Sequence, residues 1–178
     1  MNADALFAVL AQARKLCGHS HYVVVGSLSV LGVADVAAIP ADMTMSIDAD
    51  CYTRDDPGRA LDLQAALGEG SAWHHRHGIY LDPVNPALPT LPDGWQQRLI
   101  AVARDGVTAH FLEPHDAAVS KLARGEPRDV RWVRAGLKGG ILSLATIALR
   151  MKATGFLDEA EQAGALARLD ALRPRRKA

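Results

Sequence analysis

The chain has 178 residues, with 20 Lys and Arg against 20 Asp and Glu and a formal net charge of zero. Its 49% hydrophobic and 22% charged residues are an ordinary globular balance, which excludes disorder, collagen and coiled coil. Aromatics at only 5% and the lack of a cationic surplus also exclude a base-stacking platform and a protein that coats DNA.

Leu6, Val9, Leu10, Ala13 and Leu16 recur at helical spacing and predict an amphipathic first helix that stops near Gly18. His21 to Val25 predicts a short buried strand, and Leu28 to Val36 a helix with Ser27 as its N-cap, closed by Pro40. Met43 to Tyr52 predicts a second strand. Its Met43, Met45, Ile47, Ala49 and Cys51 alternate with Thr44, Ser46, Asp48, Asp50 and Tyr52, so the apolar set faces the core. Pro57 opens a helix running to about Leu67, Trp73 to Leu81 reads as a strand, and Pro83, Pro86, Pro89 and Pro92 mark a long loop or edge. Gln97 to Ala103 and Val107 to Leu112 flank Arg104-Asp105-Gly106, a hairpin signal.

The character then changes. Pro114 to Arg124 and Pro127 to Lys138 read as helices with proline in the first turn and glycine just past the end; Ile141 to Ala153 and Asp158 to Leu172 follow as two more. Strands with helices followed by a helical block imply an α+β (mixed α/β) fold. The expected organisation is an α/β core over 1–112, a helical part of the same domain over 113–172, and a basic tail over 173–178 carrying Arg173, Arg175, Arg176 and Lys177.

Two cysteines, Cys17 and Cys51, are too few for a disulfide framework and lack metal-ligand spacing, so free thiols in a reduced cytoplasm are expected. Arg14 and Lys15 follow the first apolar stretch instead of preceding it, unlike a secretory signal. The apolar run from Tyr22 ends at Asp35, short of the roughly 18 residues that a membrane span requires. No membrane contact is expected.

The sharpest constellation is Gly26-Ser27 at the end of one strand and Asp48-Ala49-Asp50 on the next. Residues two apart on a strand share a face, about 6–7 Å apart along the chain, so both carboxylates converge on one metal. Hard cations such as Mg²⁺ are held by one or two carboxylates plus substrate phosphates. Glycine lets a phosphate approach the backbone closely, and a helix opening there offers unpaired N–H groups. Together these pieces match the arrangement of a nucleotidyltransferase palm. His74, His75 and His77 form a cluster in which, on a strand, only two rings share a face, and no Cys or carboxylate completes a zinc set. His115, ahead of Asp116 at a helix start, reads as a capping residue, with a role beside Lys121 as the alternative. Trp73, Trp95 and Trp132 read as packing residues.

Three stretches carry a family resemblance: Tyr22-Val-Val-Val-Gly-Ser-Leu-Ser-Val, then Met45-Ser-Ile-Asp-Ala-Asp-Cys-Tyr, then His115-Asp-x-x-x-x-Lys-Leu-x-x-Gly125 with Arg128-Asp129. Over about Tyr22 to Lys138 the chain resembles an uncharacterised bacterial nucleotidyltransferase-like family, similar to abortive-infection type nucleotidyltransferase toxins of toxin–antitoxin systems. The resemblance implies a palm-like core and phosphate contacts from Gly26 and Ser27. It implies Mg²⁺ or Mn²⁺ on Asp48 and Asp50, with the pocket completed by Lys121 and Asp129. Arg124 shares the helical face of Lys121 and suits the triphosphate.

The sequence departs from the superfamily in lacking an arginine before the Asp-x-Asp strand, and its third carboxylate is open between Asp82 and Glu113. The reading that results is a metal-dependent transfer of NMP from an NTP to an RNA acceptor (a tRNA 3′ end) or a protein, as a toxin with a cognate antitoxin. Sequence-specific DNA binding is not expected. The alternatives are a degenerate member that binds nucleotide or a partner protein, and two surface carboxylates without a metal.

Overall fold

A computed structural model describes residues 1–33 and 39–174. The end of the helix expected over 28–36 and residues 175–178 of the basic tail lie outside the described residues. The α+β (mixed α/β) class expected from the sequence is the class observed. A five-stranded mixed sheet is flanked by helices and followed by a helical C-terminal part.

The helix α1 (Ala3–Cys17) is capped by the Asn2 side chain and ended by Gly18 in the left-handed conformation. β1 (His21–Val24), β2 (Asp48–Thr53), β3 (Tyr80–Pro83), β4 (Ile100–Arg104) and β5 (Val107–Phe111) line up in the order β3-β2-β1-β5-β4. β1 runs parallel to β5 and antiparallel to β2, and β2 is parallel to β3. β4 and β5 form the expected hairpin, turned by Asp105 and Gly106, both at positive φ.

The central strand β1 is buried on both faces, which explains its unbroken Tyr-Val-Val-Val run. Tyr22 and Val24 pack with Leu6, Phe7 and Leu10 of α1, while Val23 and Val25 pack into the helical part with Val119, Leu122 and Trp132. Burying each such side chain stabilises the fold by about 1.5–3 kcal/mol. That second layer is built by α4 (Pro114–Arg124), α5 (Pro127–Lys138), α6 (Leu144–Lys152) and α7 (Glu159–Ala171). Among the described residues, no helix is long and apolar enough to cross a membrane.

Four local expectations are corrected. Gly26–Gly32 is a 3₁₀ helix, not the start of an α-helix capped by Ser27. At three residues per turn it stacks Leu28 and Leu31, which both enter the α1 layer, and Gly32 lies against Phe111 where no Cβ would fit. β2 starts only at Asp48; Met43 lies in a short 3₁₀ turn (Ala41–Met43), and Met45 and Ile47 are exposed, not in the core. The helix expected from Pro57 to Leu67 is 3₁₀ over Pro57–Leu63 and α-helical only over α2 (Gln64–Leu67). Residues 73–77 are helical, in α3 (Ala72–His77), and only Tyr80 and Leu81 of the expected strand are extended, in a β3 that runs on to Pro83. Ser71 accepts from the His74 N–H, Gly78 ends the helix at positive φ, and Trp73 stacks on His77 four residues on, 4.0 Å between ring centres. The apparent alternation of Trp73, His75 and His77 therefore belongs to one turn and a half of helix.

Candidate active site

Asp48 and Asp50 project from β2 on the side that faces α4 and α5, the same side as Tyr52, while Ala49 and Cys51 enter the opposite layer. β3 lies parallel to β2 in the register Asp48↔Tyr80 and Asp50↔Asp82, so Asp82 stands beside Asp50 and points the same way. One carboxylate oxygen from each of Asp48, Asp50 and Asp82 lies within 4.8 Å of the others. Glu113, the other candidate for a third carboxylate, does different work. It caps α4, accepting from the N–H groups of His115 and Asp116.

The cluster is electrostatically strained. Burial first, then the charges of Asp48 and Asp82, push the Asp50 carboxyl up to about 7, and Lys121 and Arg124 only partly oppose them. Asp82 is raised as well, by burial and then by Asp48 and Glu69. Ser46 Oγ donates a short hydrogen bond to Asp48 Oδ1.

Gly26 lies against this cluster at φ +64, and a Cβ there would collide with the Asp50 carboxylate. The close approach that its glycine permits is thus made by Asp50 itself. Gly26→Ala is expected to lower the melting temperature and to displace Asp50; a thermal melt and a metal titration of the variant check both.

Facing the aspartates is a second charged group. Lys121, on α4 and 4% exposed, donates to Ser27 Oγ at 3.0 Å and to Asp129 Oδ1 at 3.1 Å. Arg124 grips the same carboxylate as a fork, Nε to Oδ2 and Nη2 to Oδ1, both at 2.7 Å. Burial lowers the Lys121 pKa against the pull of Asp129. Burial would raise Asp129, but the Arg124 hydrogen bonds and the Lys121 charge overcome it and hold Asp129 below its usual range. Trp132 completes the corner: its Nε1 donates to the carbonyls of Ser27 and Met43, each at 3.1 Å, and its ring lies 5.0 Å from Lys121 Nζ. Ser27 therefore acts through its hydroxyl toward Lys121, not as a helix cap.

Asp50, Gly26, Lys121 and Arg124 line one cavity of about 340 Å³, whose far wall is Leu88, Pro89 and Glu161. The proline-rich loop after β3 thus forms a wall of the site. Sequence reasoning also missed Asp116. Fully buried, it accepts from Arg98 at 2.8 and 3.1 Å, and Arg150 Nε stands 3.2 Å away as a further ion pair, so it ties α6 and the Trp95–Arg98 turn to α4. His115 supports the same helix, with Nδ1 on Glu113 and Nε2 accepting from the Ser143 N–H. The spacing signal was the His-Asp pair itself, but its partners lie on distant elements. His74 accepts from the Gly70 N–H and packs on Tyr80.

A sheet end carrying three convergent carboxylates, opposite a lysine and an arginine fixed by a buried aspartate, is suited to binding a polyanion together with a hard cation. No curated protein and no solved structure matches the chain. A family model does match, over residues 4–165, and with that coverage the chain belongs to the family described as a nucleotidyltransferase of unknown function (DUF6036).

Proposed function

We propose that the protein is a metal-dependent nucleotidyltransferase that moves a nucleoside monophosphate from a nucleoside triphosphate to an acceptor hydroxyl. The observation that carries this reading is the cluster of Asp48, Asp50 and Asp82, of which Asp50 shares one cavity with Lys121 and Arg124. The donor set fits a divalent cation. Three hard carboxylate oxygens lie close together, and burial first, then the repulsion of its neighbours, pushes up Asp50, a cost that a bound cation offsets. Asp48, Asp50 and Asp82 would hold Mg²⁺ or Mn²⁺, which when bound neutralises phosphate charge and helps orient the in-line displacement.

The chain's own residues do the rest. Lys121 has three donors, of which Ser27 and Asp129 take two, leaving one for a phosphate oxygen. Arg124 adds charge at the cavity wall, and Asp129 holds both cations in place so that no reorganisation is needed when charge develops. Gly26 lines the cavity with them, and Ser27 orients Lys121 through its hydroxyl. Asp82 beside the pair supports an active enzyme over a degenerate nucleotide-binding member, because it supplies the third carboxylate.

The acceptor proposed is RNA, at a tRNA 3′ end, with a protein hydroxyl as the other arm of the test, and the setting proposed is a cytoplasmic toxin held in check by an antitoxin. Purified protein incubated with each labelled NTP, Mg²⁺, tRNA and cell extract is expected to transfer label from one NTP to one acceptor class. No transfer to any acceptor, together with no NTP-dependent rise in melting temperature, overturns the proposal.

A further inference from the structure

We infer that the outward face of α5 is a docking surface for a nucleic-acid strand, gripped by its phosphates and led to Asp48 through a second cavity, separate from the one that Lys121 lines. The chemistry at its end rests on the transferase reading; the surface itself does not.

Arg128, Arg131, Arg134 and Lys138 recur at intervals of three, three and four residues, so they share one face of α5 over about 15 Å of helix. All four are exposed. Among the described residues none of them makes an ion pair, whereas Arg98, Lys121, Arg124 and Arg150 are all tied to buried aspartates. In a chain of zero net charge, four exposed cations in a row with no ion pair among the described residues are a local excess.

The stripe also has a direction. Arg128 and Arg131 line a second cavity of about 260 Å³ together with Ser27, Asp48, Met45 and Asp42. Arg134 and Lys138 border a third, beside Leu172 and Pro174. The aspartates thus stand between two cavities: Asp50 opens into the one with Lys121, and Asp48 into the one with Arg128. A displacement at phosphorus needs an acceptor and a nucleotide brought to the same aspartates, and the two cavities offer a separate approach for each. Met45 and Ile47, 73% and 49% exposed, give the ribose and base of a terminal nucleotide an apolar wall.

The spacing favours nucleic acid over an acidic protein. Protein docking is built on an apolar centre with a polar rim, but no large apolar side chain is exposed on α5 between these cations. Phosphate contacts of this kind position a strand without reading its bases. In the step that follows, the strand's 3′-hydroxyl oxygen bonds to the α-phosphorus and the bond to the pyrophosphate bridging oxygen breaks. Pyrophosphate leaves with that electron pair, and the hydroxyl proton passes to water.

The test is fluorescence anisotropy with single-stranded RNA and DNA oligonucleotides and with polyglutamate, at 50 and 200 mM salt, alongside an NTP thermal shift. Wild type is expected to bind both strands with log K falling by about 0.7 per phosphate contact for each log unit of salt. Arg128→Glu with Arg131→Glu, and separately Arg134→Glu with Lys138→Glu, are each expected to weaken binding at least about tenfold. The neutral pair Arg128→Gln with Arg131→Gln should lower both affinity and salt slope, and the NTP shift should stay as in wild type. Absence of strand binding by wild type, equal binding by the variants, or equally tight binding of polyglutamate overturns the inference. An NTP shift without strand binding overturns the surface and leaves the transferase reading standing; strand binding lost in the variants with no NTP response does the reverse.

Discussion

Asp50→Asn is expected to abolish nucleotidyl transfer and to stabilise the metal-free protein in the same stroke. Asp50 sits half-buried beside Asp48 and Asp82, and burial first, then the charges of those two neighbours, push its carboxyl up to about 7, so ionising it in the metal-free fold costs stability. An amide of the same shape removes that repulsion. A chain of this size gains about 2–4 °C in melting temperature per kcal/mol relieved. The same change removes one carboxylate from the triad proposed to hold the metal, so transfer should fall by about 10²–10³-fold or more, and the Mg²⁺-dependent rise in melting temperature should vanish. Calorimetry of wild type and variant, with and without Mg²⁺, checks both halves. A variant that is less stable without metal, or that retains full Mg²⁺ stabilisation, contradicts the assignment.

Asp129→Ala is expected to be the most destabilising single change at the site. The carboxylate is fully buried and is the shared partner of Lys121 and Arg124. Arg124 is half exposed and regains water, but Lys121 is left charged and buried. Stranding one member of a buried pair costs about 3–5 kcal/mol, or roughly 6–20 °C in melting temperature at this chain length. Adding Lys121→Met should recover most of the loss, because the stranded charge is gone. If the double variant is no more stable than Asp129→Ala alone, the pair is not the cause. The pH dependence has a definite sign. Asp129 is held below its ordinary value of 3.8, so its contribution is present above that pH and is lost as pH falls through its folded value. Acid unfolding of wild type below pH 3.8 should therefore be steeper than that of Asp129→Asn.

The elements read most directly from the sequence are those fixed by local chemistry. α4 and α5 begin at Pro114 and Pro127, as their first-turn prolines require, and Gly125 and Gly139 stand just past their ends. The β4–β5 hairpin follows from Asp105-Gly106. Asp48 and Asp50 share a face for the same local reason, the two-residue period of a strand. What escaped the sequence depends on partners far along the chain. Asp82 becomes the third carboxylate only through the parallel register of β3 on β2. Met45 and Ile47 keep strand-like alternation but precede the first residue that pairs, so no neighbour covers them. Ser27 has the chemistry of a helix cap, yet its hydroxyl is committed to Lys121. Trp73-His-His-Arg-His carries alternation too short to tell a strand from a turn and a half of helix, and the Ser71 and Gly78 caps decide it.

The span of those contacts bears on when the site comes into being. The Lys121–Ser27 hydrogen bond closes a loop of 94 residues and the Trp132–Ser27 bond one of 105. Bonds between residues so far apart form late, after the entropy of loop closure has been met by the docking of whole layers. A nascent chain that has not yet delivered α5 holds its aspartates without the opposing lysine corner, and an intermediate with the sheet formed but the helical layer loose is in the same position. Assembly of the lysine-bearing half of the site therefore coincides with completion of the fold.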